Sequence, residues 1–197
     1  GDPSFGLAVV PSFSDLGGVY KFKTSNIDTV RIFSIISHDE LGFLFKEPVR
    51  EDPGLRGTFS NQTTFYRLIP QWTRRWDVDH AFTLSFAVGQ DIIRADIGDN
   101  FFDLQSTTVS QRAEWESTPG AGWRSYLGFD TRFAHDVVNF KLPVFSGEGG
   151  VRNPVAGAEV VDASVTRDLV EIGPYWRGQL RTEGSKITWM PGLRADY

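Results

Sequence analysis

Residues 65–88 constrain the fold more than any other stretch of the chain. Tyr66, Leu68, Pro70 and Trp72 alternate with Phe65, Arg67, Ile69, Gln71 and Thr73. After a tight polar connection, Asp77-Val78-Asp79, a second arm sets Phe82, Leu84, Phe86 and Val88 against Ala81, Thr83, Ser85 and Ala87. A period of two belongs to a β-strand, whose successive side chains point to opposite faces, so the stretch reads as a hairpin with one apolar face. Its other face carries Arg, Gln, Thr, Ser and Ala where a soluble sandwich needs a compact aliphatic core. An apolar outside around a polar inside is the pattern of a transmembrane β-barrel.

The same rhythm recurs on both sides of this hairpin. Leu16, Gly18, Tyr20 and Phe22 outline a first strand that stops at Thr24-Ser25-Asn26. A second, from about Thr29 to Asp39, sets Val30, Ile32 and Ile36 against Arg31, Phe33, Ser37 and Asp39, and a long connection with Pro48, Pro53, Gly54 and Gly57 follows. Beyond the hairpin, a loop through Asp91, Asp96, Gly98 and Asp99 leads to a fifth strand, with Val109, Ala113 and Trp115 against Ser110, Arg112 and Glu114. A short connection, Ser117-Thr118-Pro119-Gly120, leads to a sixth, with Trp123, Leu127, Phe129 and Phe133 against Arg124, Tyr126, Asp130 and Arg132. The Gly-rich segment from Pro143 to Ser164 reads as the longest loop. A seventh strand sets Ile172, Pro174, Trp176 and Leu180 against Glu171, Tyr175, Arg177 and Arg181, and Glu183-Gly184-Ser185 turns into an eighth carrying Trp189, Pro191, Leu193, Ala195 and Tyr197.

The expected fold is therefore all-β: one domain over residues 1–197, an antiparallel up-and-down meander of about eight strands, forming a curled, incompletely closed piece of a transmembrane barrel wall. Short and long connections are expected to alternate, as periplasmic turns and outer loops do in outer-membrane barrels.

Two features assign the faces. All six tryptophans lie close to the short connections, as an aromatic girdle at one membrane interface would. The polar parity collects Arg31, Arg67, Arg112, Glu114, Arg124, Asp130, Arg132, Glu171, Arg177, Arg194 and Asp196, which are expected to face the lumen. The opposite parity collects the expected lipid-facing and girdle residues Tyr66, Leu68, Trp72, Trp76, Phe82, Leu84, Phe86, Trp115, Trp123, Leu127, Phe129, Trp176 and Trp189. An arginine facing lipid at mid-bilayer costs about 2–4 kcal/mol, so the arginines pin the register. Arg74 and Arg75 are adjacent, and one of them must point outward beside Trp76, where a long side chain can snorkel.

Composition narrows the function classes. With no cysteine there is no disulfide framework, thiolate metal site or cysteine nucleophile. The net charge of −5 and the scattered basic residues argue against a nucleic-acid partner. No apolar run approaches the roughly 18 residues of a membrane helix, and the start at Gly1-Asp2-Pro3 has no signal segment, so either a signal has been removed or the chain is an internal piece. The histidines His38, His80 and His135 have no metal-ligand spacing, and His38-Asp39-Glu40 reads as a solvated strand end. Asp91, Asp96, Asp99 and Asp103 lack a calcium-loop register and read as an acidic outer loop. Gly147-Glu148-Gly149-Gly150 lacks the strand-to-helix setting of a phosphate cradle. No catalytic residue, metal or cofactor is expected, and the chain is not expected to be an enzyme.

Two blocks carry a family resemblance. Pro191-Gly192-Leu193-Arg194-Ala195-Asp196-Tyr197 resembles the "PGLR-x-DY" strand of TonB-dependent outer-membrane receptors. The order Ser37-His38-Asp39-Glu40, Asp52-Pro53-Gly54-Leu55-Arg56-Gly57 and Thr64-Phe65-Tyr66-Arg67-Leu68 is similar to one seen in some of them. The resemblance implies a location in the cell outer membrane and a role in uptake of a scarce nutrient such as a siderophore, vitamin or glycan. It implies as partners the outer-membrane lipid, the rest of the receptor barrel with its plug domain, and TonB through the missing part. No plug or TonB box is recognisable, and the strands are about eight where the family has about 22, so the chain is expected to be a partial wall. The alternative is a complete eight-stranded outer-membrane barrel with a structural, adhesive or enzymatic role. A soluble ligand-binding barrel would need an apolar interior, which the inward arginines oppose.

Overall fold

In the computed structural model of the chain, residues 7–45, 57–143, 160–181, 184 and 187–197 are described. They form one antiparallel sheet with no helix: β1 (Leu7–Lys23), β2 (Asp28–Phe45), β3 (Gly57–Arg75), β4 (His80–Ile97), β5 (Asn100–Gly120), β6 (Trp123–Pro143), β7 (Val160–Arg181), β8 (Thr188–Trp189) and β9 (Gly192–Arg194). Each strand from β1 to β7 pairs with the next, and β9 also pairs β7. β8 and β9 are two stretches of one edge, because Leu180↔Trp189 and Tyr175↔Arg194 lie in one register along β7. The ladder between them is kept by Gly178, whose N–H donates to Pro191 O at 2.8 Å, and beyond β9 by Ile172 and Tyr197, which exchange bonds of 2.9 and 3.0 Å. The expected meander is present, in nine segments, and the sheet is not closed: the free edges of β1 and of the β8–β9 line do not pair.

The strands are longer than the alternation indicated, and the connections change accordingly. The loop expected through Asp91, Asp96, Gly98 and Asp99 is instead a two-residue turn, Gly98-Asp99, between Ile97 and Asn100. Gly98 takes φ 57°, the positive value required at the first central position of a type II′ hairpin. Residues 89–97 and 100–108 carry polar side chains on both faces, so they are extended without a hydrophobic period to announce it. The expected alternation of short and long connections therefore fails here. His38, expected at a strand end, is inside β2, and His135 is inside β6. The short connection at Ser117–Gly120 belongs to β5, where the ladder slips by a residue, and the turn is Ala121-Gly122. The proline- and glycine-bearing connection at Pro48, Pro53 and Gly54, and the segment around Gly147, lie outside the described residues.

Local chemistry closes the turns. Ser25 Oγ accepts from the N–H groups of Ile27 and Asp28 at 3.2 and 3.0 Å and donates to Asp28 Oδ2 at 2.7 Å. Asp77 Oδ1 accepts from Asp79 N and His80 N at 2.7 and 2.8 Å, an Asx-turn that sets the β3–β4 connection.

The turns are also sheared against one another. One row of paired residues runs from Lys23, beside the first turn, through Thr29, Thr73, Thr83, Glu114, Gly128 and Tyr175 to Arg194. Arg194 stands about ten residues past Gly184, so the turns step down the rows by about one residue per strand. With a rise of about 3.3 Å per residue and about 4.8 Å between strands, turns lying in one plane give a strand tilt of about 35°.

What the sheet lacks is a core. Among the described residues only Ala81 and Ala134 are buried apolar side chains, and no large side chain is fully buried. Cohesion comes from the backbone ladder and from cross-strand contacts such as Trp72 against Phe82, edge-on at 6.0 Å, worth about 0.5–1.5 kcal/mol beyond area burial.

The His80 ring and the two turn N–H groups hold the Asp77 carboxyl below its ordinary value, with His80 the largest cause. A depressed pKa in the folded state means that the turn's stabilisation is complete above the ordinary carboxylate range and is lost as pH falls through the lowered value. NMR titration of the Asp79 and His80 amides is expected to show a step below the ordinary aspartate range, and Asp77→Asn to abolish that step.

Candidate functional site

Paired residues share a face, so the registers sort every described side chain to one side of the sheet or the other. The row Phe22, Val30, Trp72, Leu84, Ala113, Phe129, Pro174 and Ala195 defines the first face. Tyr66, Leu68, Trp72, Phe82, Leu84, Phe86, Trp115, Trp123, Leu127, Phe129, Trp176 and Trp189 all lie on it, and Trp76 meets it at the turn, 5.1 Å from Trp115 between ring centres. These side chains are open to the surroundings: Leu127 is 61% exposed, and Tyr66, Leu68, Phe86 and Phe129 each more than 40%.

The apolar run stops along rows of polar groups. Gln90, Thr107, His135 and Asp168 pair in succession, as do Ser14, His38 and Thr64. Here His135 Nδ1 lies 2.7 Å from Asp168 Oδ1, and His38 Nδ1 2.7 Å from Thr64 Oγ1. At the other end two indoles have their N–H groups satisfied within the sheet. Trp72 Nε1 donates to Asp28 Oδ1 at 3.0 Å, where Arg74 also donates through Nε and Nη2 at 2.8 and 2.9 Å. Trp176 Nε1 donates to Ser125 Oγ at 2.9 Å. Of the adjacent pair, Arg74 points to this face, over the Trp72 ring, and Arg75 to the other.

The second face carries Arg31, Arg67, Arg112, Glu114, Arg124, Asp130, Arg132, Glu171, Arg177, Arg194 and Asp196 together. Most are joined in a ladder of ion pairs. Arg112 holds Asp130 with two bonds of 2.7 and 2.9 Å, and Arg194 reaches the same carboxylate at 2.6 Å while its Nε holds Asp196 at 2.6 Å. Arg177 donates to both oxygens of Glu114 at 3.0 Å, and the Tyr175 hydroxyl donates to Glu114 at 2.7 Å. Arg132 meets Glu171 at 3.1 Å, and Arg124 stands 4.0 Å from Glu116. Arg67 holds Asp91 with two bonds of 2.7 Å, and Arg177 lies 4.1 Å over the Tyr126 ring. Arg31 has no carboxylate partner among the described residues.

Several of these links skip a strand, which pairwise reading of the chain does not reveal. The Arg75 to Glu116 bond at 3.3 Å passes over Ala81, the Glu114 links to Tyr175 and Arg177 pass over Gly128, and the Asp130 to Arg194 link passes over Gly173. A Cβ on Gly128 would run into the Tyr175 ring, and one on Gly173 would lie 2.6 Å from Arg194 Nη2 and from Asp196 Oδ1. Small residues on the charged face are therefore the gaps through which long side chains cross. Parity places Tyr175 on this face but does not give its partner, and Glu116 and Asp91 are not singled out by parity alone. Their signal is opposite charge or a hydroxyl on matching rows once the turns are counted.

Each such pair on its own is worth only about 0–1 kcal/mol where it is wetted. Sharing of Asp130 by two arginines and of Glu114 by an arginine and a tyrosine makes the ladder a connected network that fixes side-chain positions. A hollow of about 270 Å³ lies between Arg112, Asp130, Arg132, Glu171 and Arg194. The acidic residues thought to share a loop are dispersed: Asp91 is on the charged face, Asp96 and Asp103 on the other, and Asp99 in the turn. Among the described residues no group of three His, Asp or Glu side chains is placed to hold a metal ion.

Gly128→Val is expected to displace the Tyr175 ring and break its bond to Glu114, destabilising the sheet by about 1–3 kcal/mol. Denaturant titration in micelles checks the loss, and a second substitution, Tyr175→Ala, should restore part of it by emptying the space.

No protein-family model matches the chain, and no curated protein matches it.

Proposed function

We propose that this chain is a stretch of the wall of an outer-membrane β-barrel of the TonB-dependent receptor kind, serving uptake of a scarce nutrient such as a siderophore, vitamin or glycan. The observation that carries the membrane part is a large apolar face with no core beneath it. In water that face would be an aggregation surface, whereas hydrocarbon is a solvent for it. The tryptophans at the turn end match an interfacial girdle, and a tilt of about 35° falls in the range of barrel strands. The charged ladder suits a wetted lumen lined by protein and water. The receptor part rests on the terminal Pro191–Tyr197 block and on two uncovered edges, which leave room for further wall. A complete eight-stranded barrel would instead join β1 to the β8–β9 line, and its bore would be just wide enough for side chains to fill.

Substitutions on the two faces test the membrane part. Leu127→Arg should cost about 2–4 kcal/mol in bilayers, and Ser110→Arg on the charged face about nothing. Tryptophan emission of the chain in vesicles should be quenched more by lipids brominated near the headgroup than by lipids brominated at the acyl ends. Equal tolerance of both arginines, with no quenching, would remove the reading. For the receptor part, the coding sequence flanking this chain should encode a plug and about fourteen further strands.

A further inference from the structure

Among the described residues, the charged face carries one cluster of cations that no carboxylate meets. Lys21 and Arg31 lie directly opposite each other in the β1–β2 register, and Lys23 stands on the same face at the next such position of β1. Like charges directly opposite are destabilising. Among the described residues none of the three has a carboxylate partner, and the neighbouring positions of β3 on that face are Gln71 and Thr73. Elsewhere Arg67, Arg75, Arg112, Arg124, Arg132, Arg177 and Arg194 are all met by a carboxylate, in most cases one on a strand one or two places away. Arg167 stands directly opposite Asp136 in the β6–β7 register, and Arg181, without a carboxylate partner among the described residues, is a single cation at the turn end of β7. The uncompensated cluster thus sits where the sheet runs out of neighbours. β1 pairs on one side only, and residues 11–21 are exposed, Phe13 at 78% and Leu16 at 73%.

We propose that the uncovered edge of β1 receives an antiparallel strand whose charged-face positions opposite Lys21 and Lys23 are carboxylates. The backbone N–H and C=O groups of β1 supply the docking, and the two carboxylates supply the choice of strand. Neutralising Lys21 also lifts its repulsion of Arg31. The same face of β1 carries Asp15 farther from the turn, so the acidic positions belong near the Lys23 end and not along the whole strand. This inference rests on the wall reading only for the expectation that the edge is covered.

The test uses the chain in detergent micelles and a synthetic strand of about ten residues, alternating Leu and Val on one face with two Glu at adjacent positions of the other. A second peptide carries Gln in place of both Glu. The Glu peptide should bind about three- to tenfold more tightly, protect the β1 amides from exchange and form carbodiimide cross-links to Lys21 or Lys23. In the exposed pair Lys21→Gln and Lys23→Gln the preference should vanish. Equal binding of the two peptides, or no protection of β1 by either, overturns the proposal. Cross-links without β1 protection also overturn it, since the acid would then lie across the face and not in the ladder. If β1 is protected by the Glu peptide while brominated lipids leave the tryptophans unquenched, the membrane reading falls and this inference stands.

Discussion

The structure depends on the backbone ladder, because almost nothing else in it is sequestered from the surroundings. In a globular domain the ladder is carried by a packed interior. Here paired N–H and C=O groups run through seven long strands while most of the described side chains on both faces remain at least partly open. Such a sheet keeps its shape only if each face meets a medium suited to it. Under the proposed wall reading, an apolar medium on one side would strengthen the ladder by withholding competing hydrogen bonds. On the charged face the ionic ladder ties the strands laterally.

The lateral ties explain a feature of composition that strand propensity alone leaves odd. Gly128 and Gly173 sit in the middle of strands, where glycine weakens pairing. Both lie under long side chains that cross from one neighbour to the next but one. Their cost in backbone entropy is offset by connectivity across three strands, which a larger residue would interrupt.

Much of the fold was legible because, near the tight turns, apolar and polar residues alternate cleanly. Tyr66 to Trp72 and Phe82 to Val88 identify their strands and both faces without further help. Legibility fades toward the far ends, where Gln90, Arg94 and Asp96 share a face with few apolar residues and Asp91 stands on the other. Period two carries information only when the faces differ, so extended chain polar on both sides resembles loop and gives no signal of the Gly98-Asp99 hairpin. The partners of the charged residues were hidden for another reason. A contact such as Arg75 with Glu116 depends on two registers at once and on an alanine between them. The parity of Arg112 or Arg177 was plain, but the acid each one grips required the turns to be placed to the residue.

The direction of the two free edges has an arithmetic consequence. β1 runs toward the tight turns, and the β8–β9 line, two strands of travel after the Ala121-Gly122 turn, runs away from them. The outer strands of this sheet are thus antiparallel to each other across whatever gap lies between them. A wall that continues by nearest-neighbour antiparallel pairing can bridge that gap only with an even number of strands, zero included. Any circumference built on this chain is therefore even, whatever its size, and a single added or deleted strand would force one parallel seam into an otherwise uniform ring.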